Sequence, residues 1–181
     1  KHAGKTVLIT GCSSGIGYCV ARGLQQRGYR VFATARRAES VDMLNTEGFE
    51  SLQLDLDDSA SIRRAVDEIL QRTNGELYAV FNNGAFGLPA AVEDLGREAI
   101  RAQFETNFFG WLELTNLLLP VMRKQGYGRI IQNSSVLGFV AMPYRGAYNA
   151  SKFAIEGLSD TLRLELNDTD IHVSLVEPGP I

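Results

Sequence analysis

Thr6-Val7-Leu8-Ile9-Thr10-Gly11-Cys12-Ser13-Ser14-Gly15-Ile16-Gly17 lies near the start of a chain of 181 residues. A short apolar run enters a glycine-rich turn, and residues 15–27 continue with helical periodicity, so the stretch reads as strand, loop and helix. In that context Gly11 permits a tight exit from the strand, Gly15 lets the backbone approach a pyrophosphate, and Gly17 lets the helix pack close to the sheet. Free amide hydrogens at the helix start then face phosphate groups, with the macrodipole adding to them. Gly11, Ser13, Ser14, Gly15, Ile16 and Gly17 are therefore candidate contacts for a dinucleotide. The competing reading is that the glycines serve only a helix start. Cys12 and Cys19 read as packing residues.

Outward from this stretch, Val-, Ile- and Leu-rich runs alternate with segments of helical period, the pattern of βαβ units around a parallel sheet buried on both faces. Strands are predicted at 6–10, 30–34, 50–54, 77–82, 129–134 and 171–176. Helices are predicted at 15–27, 40–47, 58–73, 93–106, 108–125 and 147–167, with Asp58 or Ser59 capping the third. No linker or fixed-period repeat divides the chain. The expectation is one α/β domain over residues 1–181, a doubly wound parallel sheet of Rossmann type in three αβα layers.

Composition narrows the function classes. The chain is 45% hydrophobic and 22% charged, ordinary values for a folding domain. Its net charge of -3, from 18 basic and 21 acidic residues, leaves no electrostatic footprint for nucleic acid or an anionic membrane. Apolar runs such as Leu117 to Met122 fall far short of the roughly 20 residues that cross a bilayer. No signal peptide opens the chain, so the default expectation is a cytoplasmic protein. Two cysteines without a surrounding Cys/His cluster suggest neither disulfide nor metal. His2 and His172 lack partners at ligand spacing and read as a tail residue and a residue near a strand start. The chain begins at Lys1 rather than Met and stops at Ile181 after Glu177-Pro178-Gly179-Pro180, which reads as a fragment.

The end of the second strand usually sorts NAD from NADP, because a carboxylate there binds the ribose 2′-hydroxyl and repels a 2′-phosphate. Here it reads Ala33-Thr34-Ala35-Arg36-Arg37. Arg36 offers a planar fork suited to phosphate, with Arg37 and Ser14 as helpers, so NADP(H) is the expected cofactor. The alternative is that both arginines are simply solvated. Asp55 is either an acceptor for the adenine amino group or a turn residue.

Tyr148 and Lys152 stand four apart at a helix start and share one face. A cation near ~4 Å can supply several kcal/mol toward a phenolate, enough to bring a phenol of pKa about 10 toward neutrality. Such a phenol can protonate a carbonyl oxygen or reclaim the proton in reverse. An incidental pair on an exposed helix remains the alternative. Ser135, thirteen residues earlier at the end of the fifth strand, sits where open α/β sheets bind ligands; Ser134 is its neighbour and rival. Asn107, in Glu105-Thr106-Asn107-Phe108-Phe109, either binds a water relaying protons to Lys152 or caps a helix break.

Together these residues resemble the short-chain dehydrogenase/reductase family, in its compact single-domain branch. TGCSSGIG at 10–17 is similar to its TGxxxGxG loop, FNNGA at 81–85 to its NNAG segment, and YNASK at 148–152 to its YxxxK, over about Lys5 to Ile181. The resemblance implies a catalytic tetrad of Asn107, Ser135, Tyr148 and Lys152, with Lys152 also binding the nicotinamide ribose. It further implies Asn83 and Gly84 as cofactor contacts, and Pro178, Gly179 and Ile181 against the nicotinamide. More narrowly, the chain resembles NADP-linked aldehyde reductases and 17β-hydroxysteroid or retinol dehydrogenase-like members. The family's Ala-Gly appears here as Gly84-Ala85; a positive φ at the second place would strain Ala85. The resemblance also implies that a substrate-covering segment and a further strand lie beyond this chain.

The expected function is hydride transfer between NADP(H) and an aldehyde or ketone, or the corresponding alcohol. The apolar residues Phe86, Leu88, Phe139, Val140 and Met142 either suit an apolar small molecule or are structural. A non-catalytic NADP(H)-binding sensor or interaction protein is the alternative, with an epimerase or dehydratase third. Apolar residues on more than one face of helices 108–125 and 147–167 suggest a homodimer or homotetramer.

Overall fold

Short runs, most of them largely buried, form six parallel strands, the last of which alternates buried with more exposed positions. These are β1 (Thr6–Ile9), β2 (Arg30–Ala35), β3 (Glu50–Gln53), β4 (Ala79–Asn82), β5 (Gly128–Asn133) and β6 (Ile171–Val176). The computed structural model describes residues 4–180, so Ile181 and His2 lie outside the described residues. Every residue of β1 and β4 is buried. The sheet order is β3-β2-β1-β4-β5-β6, with Ile9 opposite Ala33 on one side and Phe81 on the other. The order reverses between β1 and β4, opening a crevice beyond their carboxyl ends, where ligands bind in such sheets.

Period-two alternation sends neighbouring side chains to opposite faces. Leu8, Phe32 and Val80 join a core with Ile62, Ile69, Trp111, Leu114 and Ile155. Val7, Ile9, Val31 and Phe81 join a second core with Ala21 and Leu44. The first is covered by α3 (Ser59–Arg72), α5 (Gly110–Gln125) and α6 (Gly146–Glu165), the second by α1 (Gly15–Gln26) and α2 (Ala38–Thr46). The architecture is the expected doubly wound, three-layer one. Asp58 caps α3, its carboxylate accepting from Ala60 N at 2.9 Å.

One stretch departs from expectation. Residues 93–106 do not form a single helix: Val92–Asp94 make a 3-10 turn, and α4 is Arg97–Phe104. Nor is there a break before α5, because Glu105–Phe109 continue as a π-helical turn with right-handed dihedrals at both junctions. Asn107 therefore does not cap a helix end. Its residue type suggested a break, but burial and the contacts of its side chain hold the helix together through the widened turn.

Gly110 lets α5 approach the segment after β3, since a Cβ there would lie 2.2 Å from the Leu56 carbonyl oxygen and 2.8 Å from its Cβ. Alanine would gain about 1 kcal/mol in helix propensity. A clash against backbone outweighs that gain. Gly110→Ala is expected to lose about 1–3 kcal/mol net, read as a lower urea midpoint. A midpoint equal to or above wild type would show that the two segments are not this close.

Candidate active site

Two adjoining hollows of about 290 Å³ and 190 Å³ lie at the carboxyl ends of the strands and share Ala85 and Phe86. The first is lined by Ile16, Asn83, Ser135, Tyr148, Lys152, Pro178 and Gly179, the second by Gly11, Ser13, Arg36, Asp55 and Gly84. Residues scattered from 11 to 179 are thus gathered along one crevice. Ser14, Gly15, Gly17 and Arg37 line neither hollow. Ser14 and Arg37 stand as the residues just before α1 and α2, both exposed. A larger hollow of about 470 Å³ lies by the amino ends of β1 and β2. Its Arg30, Arg72 and Arg129 are already paired with Glu50, Glu68 and Asp170, so their charge is spent on the fold.

The glycines of the loop act in three ways. Gly11 and Gly15 adopt φ of +69° and +60°, which side chains rarely tolerate. No atom lies within 4 Å of a Cβ built on Gly15, leaving its backbone open to a ligand. A Cβ on Gly17 would meet the Gly11 oxygen at 2.3 Å and Asn83 Nδ2 at 2.5 Å, so this glycine serves packing behind the loop. Thr10 Oγ1 accepts from the amides of Asn83 and Gly84, both at 2.9 Å, and ties the segment after β4 to the loop. Neither Gly84 nor Ala85 has a positive φ, so the exchanged pair carries no backbone strain. Cys12 is buried, its thiol pushed up to about 12 by desolvation, and Cys19 is exposed; both are free. His172 pairs with Asp170 at 2.9 Å on the surface.

Ser135 caps the turn Val136–Gly138, its Oγ accepting from Leu137 N at 3.1 Å. Val136 N donates to the Pro178 oxygen at 3.1 Å, drawing the segment after β6 to the same crevice. Ser134 also lines this hollow, but its hydroxyl is buried beside Gly138 and Glu156. Tyr148 packs its ring against Gly87, where a Cβ would lie 3.4 Å away.

Lys152 is 1% exposed. Its Nζ donates to the Asn133 carbonyl at 2.7 Å and lies 4.4 Å from the Trp111 ring centroid and 5.5 Å from that of Tyr148. Burial pushes this ammonium down to about 7, with the Glu156 carboxylate pulling it back up. Burial raises Glu156 in turn.

Asn107 uses three of the four hydrogen-bonding positions of its carboxamide. Oδ1 accepts from Phe86 N at 3.1 Å, while Nδ2 donates to the Phe86 oxygen at 2.9 Å and to Ser151 Oγ at 3.2 Å. Asp55 makes a turn, accepting from Asp57 N at 3.1 Å, and also lines the hollow with Arg36.

Several residues that shape the crevice carried no signal in the sequence. Trp111 donates from Nε1 to the Gly84 oxygen at 2.8 Å. Gln103 clasps Phe86 and Leu88, and Asn149 clasps Leu137, Val140 and Met142 through their backbones. Asn133 leaves its buried Oδ1 without a donor in a residue that lines the crevice. An orphaned acceptor, an open glycine backbone and an arginine at the rim together fit a ligand rich in hydroxyl and phosphate groups. Among the described residues no cluster could hold a metal ion, and no helix is long and apolar enough to cross a membrane.

The short chain dehydrogenase family model matches residues 5–181. An uncharacterized oxidoreductase, YbbO of Escherichia coli (strain K12), is 48% identical over 177 residues, 98% of this chain and 66% of that protein. A short-chain dehydrogenase from Streptomyces avermitilis superposes with a TM-score of 0.94 at 35% identity, covering 100% of this chain and 67% of that one. A short chain dehydrogenase/reductase from Burkholderia phymatum, solved in complex with NAD, gives 0.90 at 26% identity, covering 99% and 66%. The chain spans 66% of the length of YbbO and 60% of a human retinol dehydrogenase 8 that it also matches. A matching family model over nearly every residue, relatives at this identity and a shared fold lead to one conclusion: the chain belongs to the short-chain dehydrogenase/reductase family.

Proposed function

We propose that this protein is an NADP(H)-dependent oxidoreductase that interconverts an apolar aldehyde or ketone and its alcohol, with Tyr148 as the general acid and base. One observation carries the reading: Tyr148, Lys152 and Ser135 line a single hollow beside the phosphate loop. When bound, the reduced nicotinamide supplies a hydride. Gly11, Ser13, Ser14, Gly15, Ile16 and Gly17 would hold its pyrophosphate half, and Asp55 its adenine. Asn83, Gly84, Pro178, Gly179 and Ile181 would flank the nicotinamide half.

Ser135 donates to the substrate carbonyl oxygen and fixes it near the phenol. Tyr148 gives that oxygen its proton as negative charge develops there. The Lys152 ammonium, one helical turn from Tyr148, stabilises the charge left on the phenol oxygen. A water on the Asn107 main chain then returns a proton toward Lys152. Phe86, an exposed apolar side chain lining the crevice, supports an apolar substrate, and Phe139, Val140 and Met142 are exposed in the segment that follows Ser135. The test is consumption of NADPH with a panel of aliphatic and aromatic aldehydes and ketones. Tight binding of NADPH with no turnover of any carbonyl would sink it.

Arg36 lines the hollow next to Asp55, with Arg37 and Ser14 nearby in the chain and no carboxylate at the end of β2. A charge-assisted pair with a 2′-phosphate contributes about 1.5–3 kcal/mol. Arg36→Glu is therefore expected to lower kcat/KM for NADPH by about 10- to 100-fold and to leave NADH the better cofactor. Equal kcat/KM ratios for the two cofactors in wild type and variant would refute the assignment. A single domain, a cytoplasmic location and a homo-oligomer complete the reading, the last supported by half-exposed Phe109 on the turn before α5 and Phe153 on α6.

A further inference from the structure

We infer that Asn133 is a positioning residue that links the phosphate loop to Lys152 and keeps the two ends of the dinucleotide site in register. The inference rests on the reading that a nicotinamide dinucleotide occupies the crevice. Asn133 belongs to none of the motifs that carry the family resemblance. It ends β5, where the chain leaves the sheet toward Ser135.

Three side-chain connections meet there. Lys152 Nζ donates to its main-chain oxygen at 2.7 Å. Its Nδ2 donates to Asn83 Oδ1 at 2.8 Å. Asn83 Nδ2 in turn donates to the Thr10 and Gly11 oxygens at 2.9 and 3.1 Å. The chemistry leaves one orientation for each amide. Two carbonyl oxygens can only receive hydrogens, so Asn83 must aim its nitrogen at the loop and its oxygen at Asn133. Asn133 must then present nitrogen to Asn83. The direction of the whole chain is set by the two backbone oxygens at its far end.

Asn83 has no room to rearrange, because a Cβ on Gly17 or Gly11 would already lie 2.5 or 3.2 Å from its Nδ2. Without the Asn133 donor, the half-buried Asn83 loses the partner of its Oδ1 or its amide turns over. Turning it over sets oxygen against the Thr10 and Gly11 oxygens and releases the Gly11 carbonyl. Gly11, at φ +69°, is the residue whose conformation shapes the loop. Loop amides that are no longer preset must be ordered by the ligand, and affinity falls. The end of the site formed by Arg36 and Asp55 does not depend on Asn83, so it should be unaffected.

The test uses the full protein and fluorescence titration with NADPH and, separately, with 2′-AMP, which lacks both pyrophosphate phosphates and the nicotinamide. Asn133→Leu is expected to bind NADPH about tenfold more weakly, the loss expected from one hydrogen-bonding group left unsatisfied, and 2′-AMP as wild type does. Asn83→Ala should lose a similar factor, and the double variant no more than either single one. If Asn133→Leu does not fold, Asn133→Ser, too short to reach Asn83, is titrated in its place. An unchanged NADPH affinity, a parallel loss of 2′-AMP binding, or additive losses in the double variant would each overturn the inference. A wild-type protein that binds neither NADPH nor NADH overturns the cofactor reading and this inference together. A wild type that binds while the variants match it overturns this inference alone.

Discussion

Replacing Tyr148 by Phe is expected to lower turnover by about 10²- to 10⁴-fold, the range for losing a positioned general acid, while NADPH affinity and stability stay close to wild type. The variant removes one oxygen and keeps the ring against Gly87, so the hollow retains its shape. Lys152 keeps its bond to Asn133 and its place over Trp111, neither of which involves the phenol oxygen. The checks are steady-state rates, a fluorescence titration with NADPH and a thermal melt. Turnover within a few-fold of wild type would remove Tyr148 from the chemistry. A collapse of stability would mean that the ring, not its oxygen, was being tested.

The second large effect has opposite signs for activity and stability. Lys152→Met is expected to lower turnover by at least about 10²-fold and to weaken dinucleotide binding, since the phenol loses its neighbouring charge. Yet below pH 7 the variant should be the more stable protein. In the fold Lys152 sits at about 7, against 10.5 for an unperturbed lysine, so between those values the unfolded chain binds more protons. Stability of the wild type therefore rises with pH across that window, and the penalty is fully present below it. Replacing a buried charge with an apolar side chain of similar length is expected to yield about 1–4 kcal/mol at pH 6. Near pH 10.5 the gain should largely vanish. Urea melts of both proteins without cofactor at pH 6 and 10 read the difference directly. A less stable variant at pH 6 would mean that the ring of Trp111 and the Asn133 oxygen hold the ammonium more strongly than its burial repels it.

These two residues were legible because their meaning is local. A phenol and an amine four apart on a helix face must be neighbours wherever the helix lies. The same holds for glycines whose turn follows directly on a strand, and for strands whose apolar runs announce burial on both faces. The expected strands and helices appear at nearly the expected places for that reason. The region from 92 to 109 was misread because an asparagine amid aromatic residues signals a helix end by local propensity. Its bonds to Phe86 and Ser151, distant in the chain, decide otherwise.

The carboxamides draw the line most clearly. Asn83, Gln103, Asn107, Asn133 and Asn149 each bond to partners across the crevice, and most grip main-chain atoms in another segment. Nothing in an amide's own neighbours along the chain tells which backbone it will find. By itself the sequence determined the alternation of strand and helix, the glycine-rich turn after the first strand and the pairing of Tyr148 with Lys152, because each depends on contacts within a turn or two. Only the tertiary structure decided that the Ser135 hydroxyl caps the turn after β5 while that of Ser134 is buried, that Lys152 is buried, and that Asn133 joins it to the loop. Those depend on which strand ends meet, and hydrogen bonds between segments become defined only once the sheet has brought those ends together.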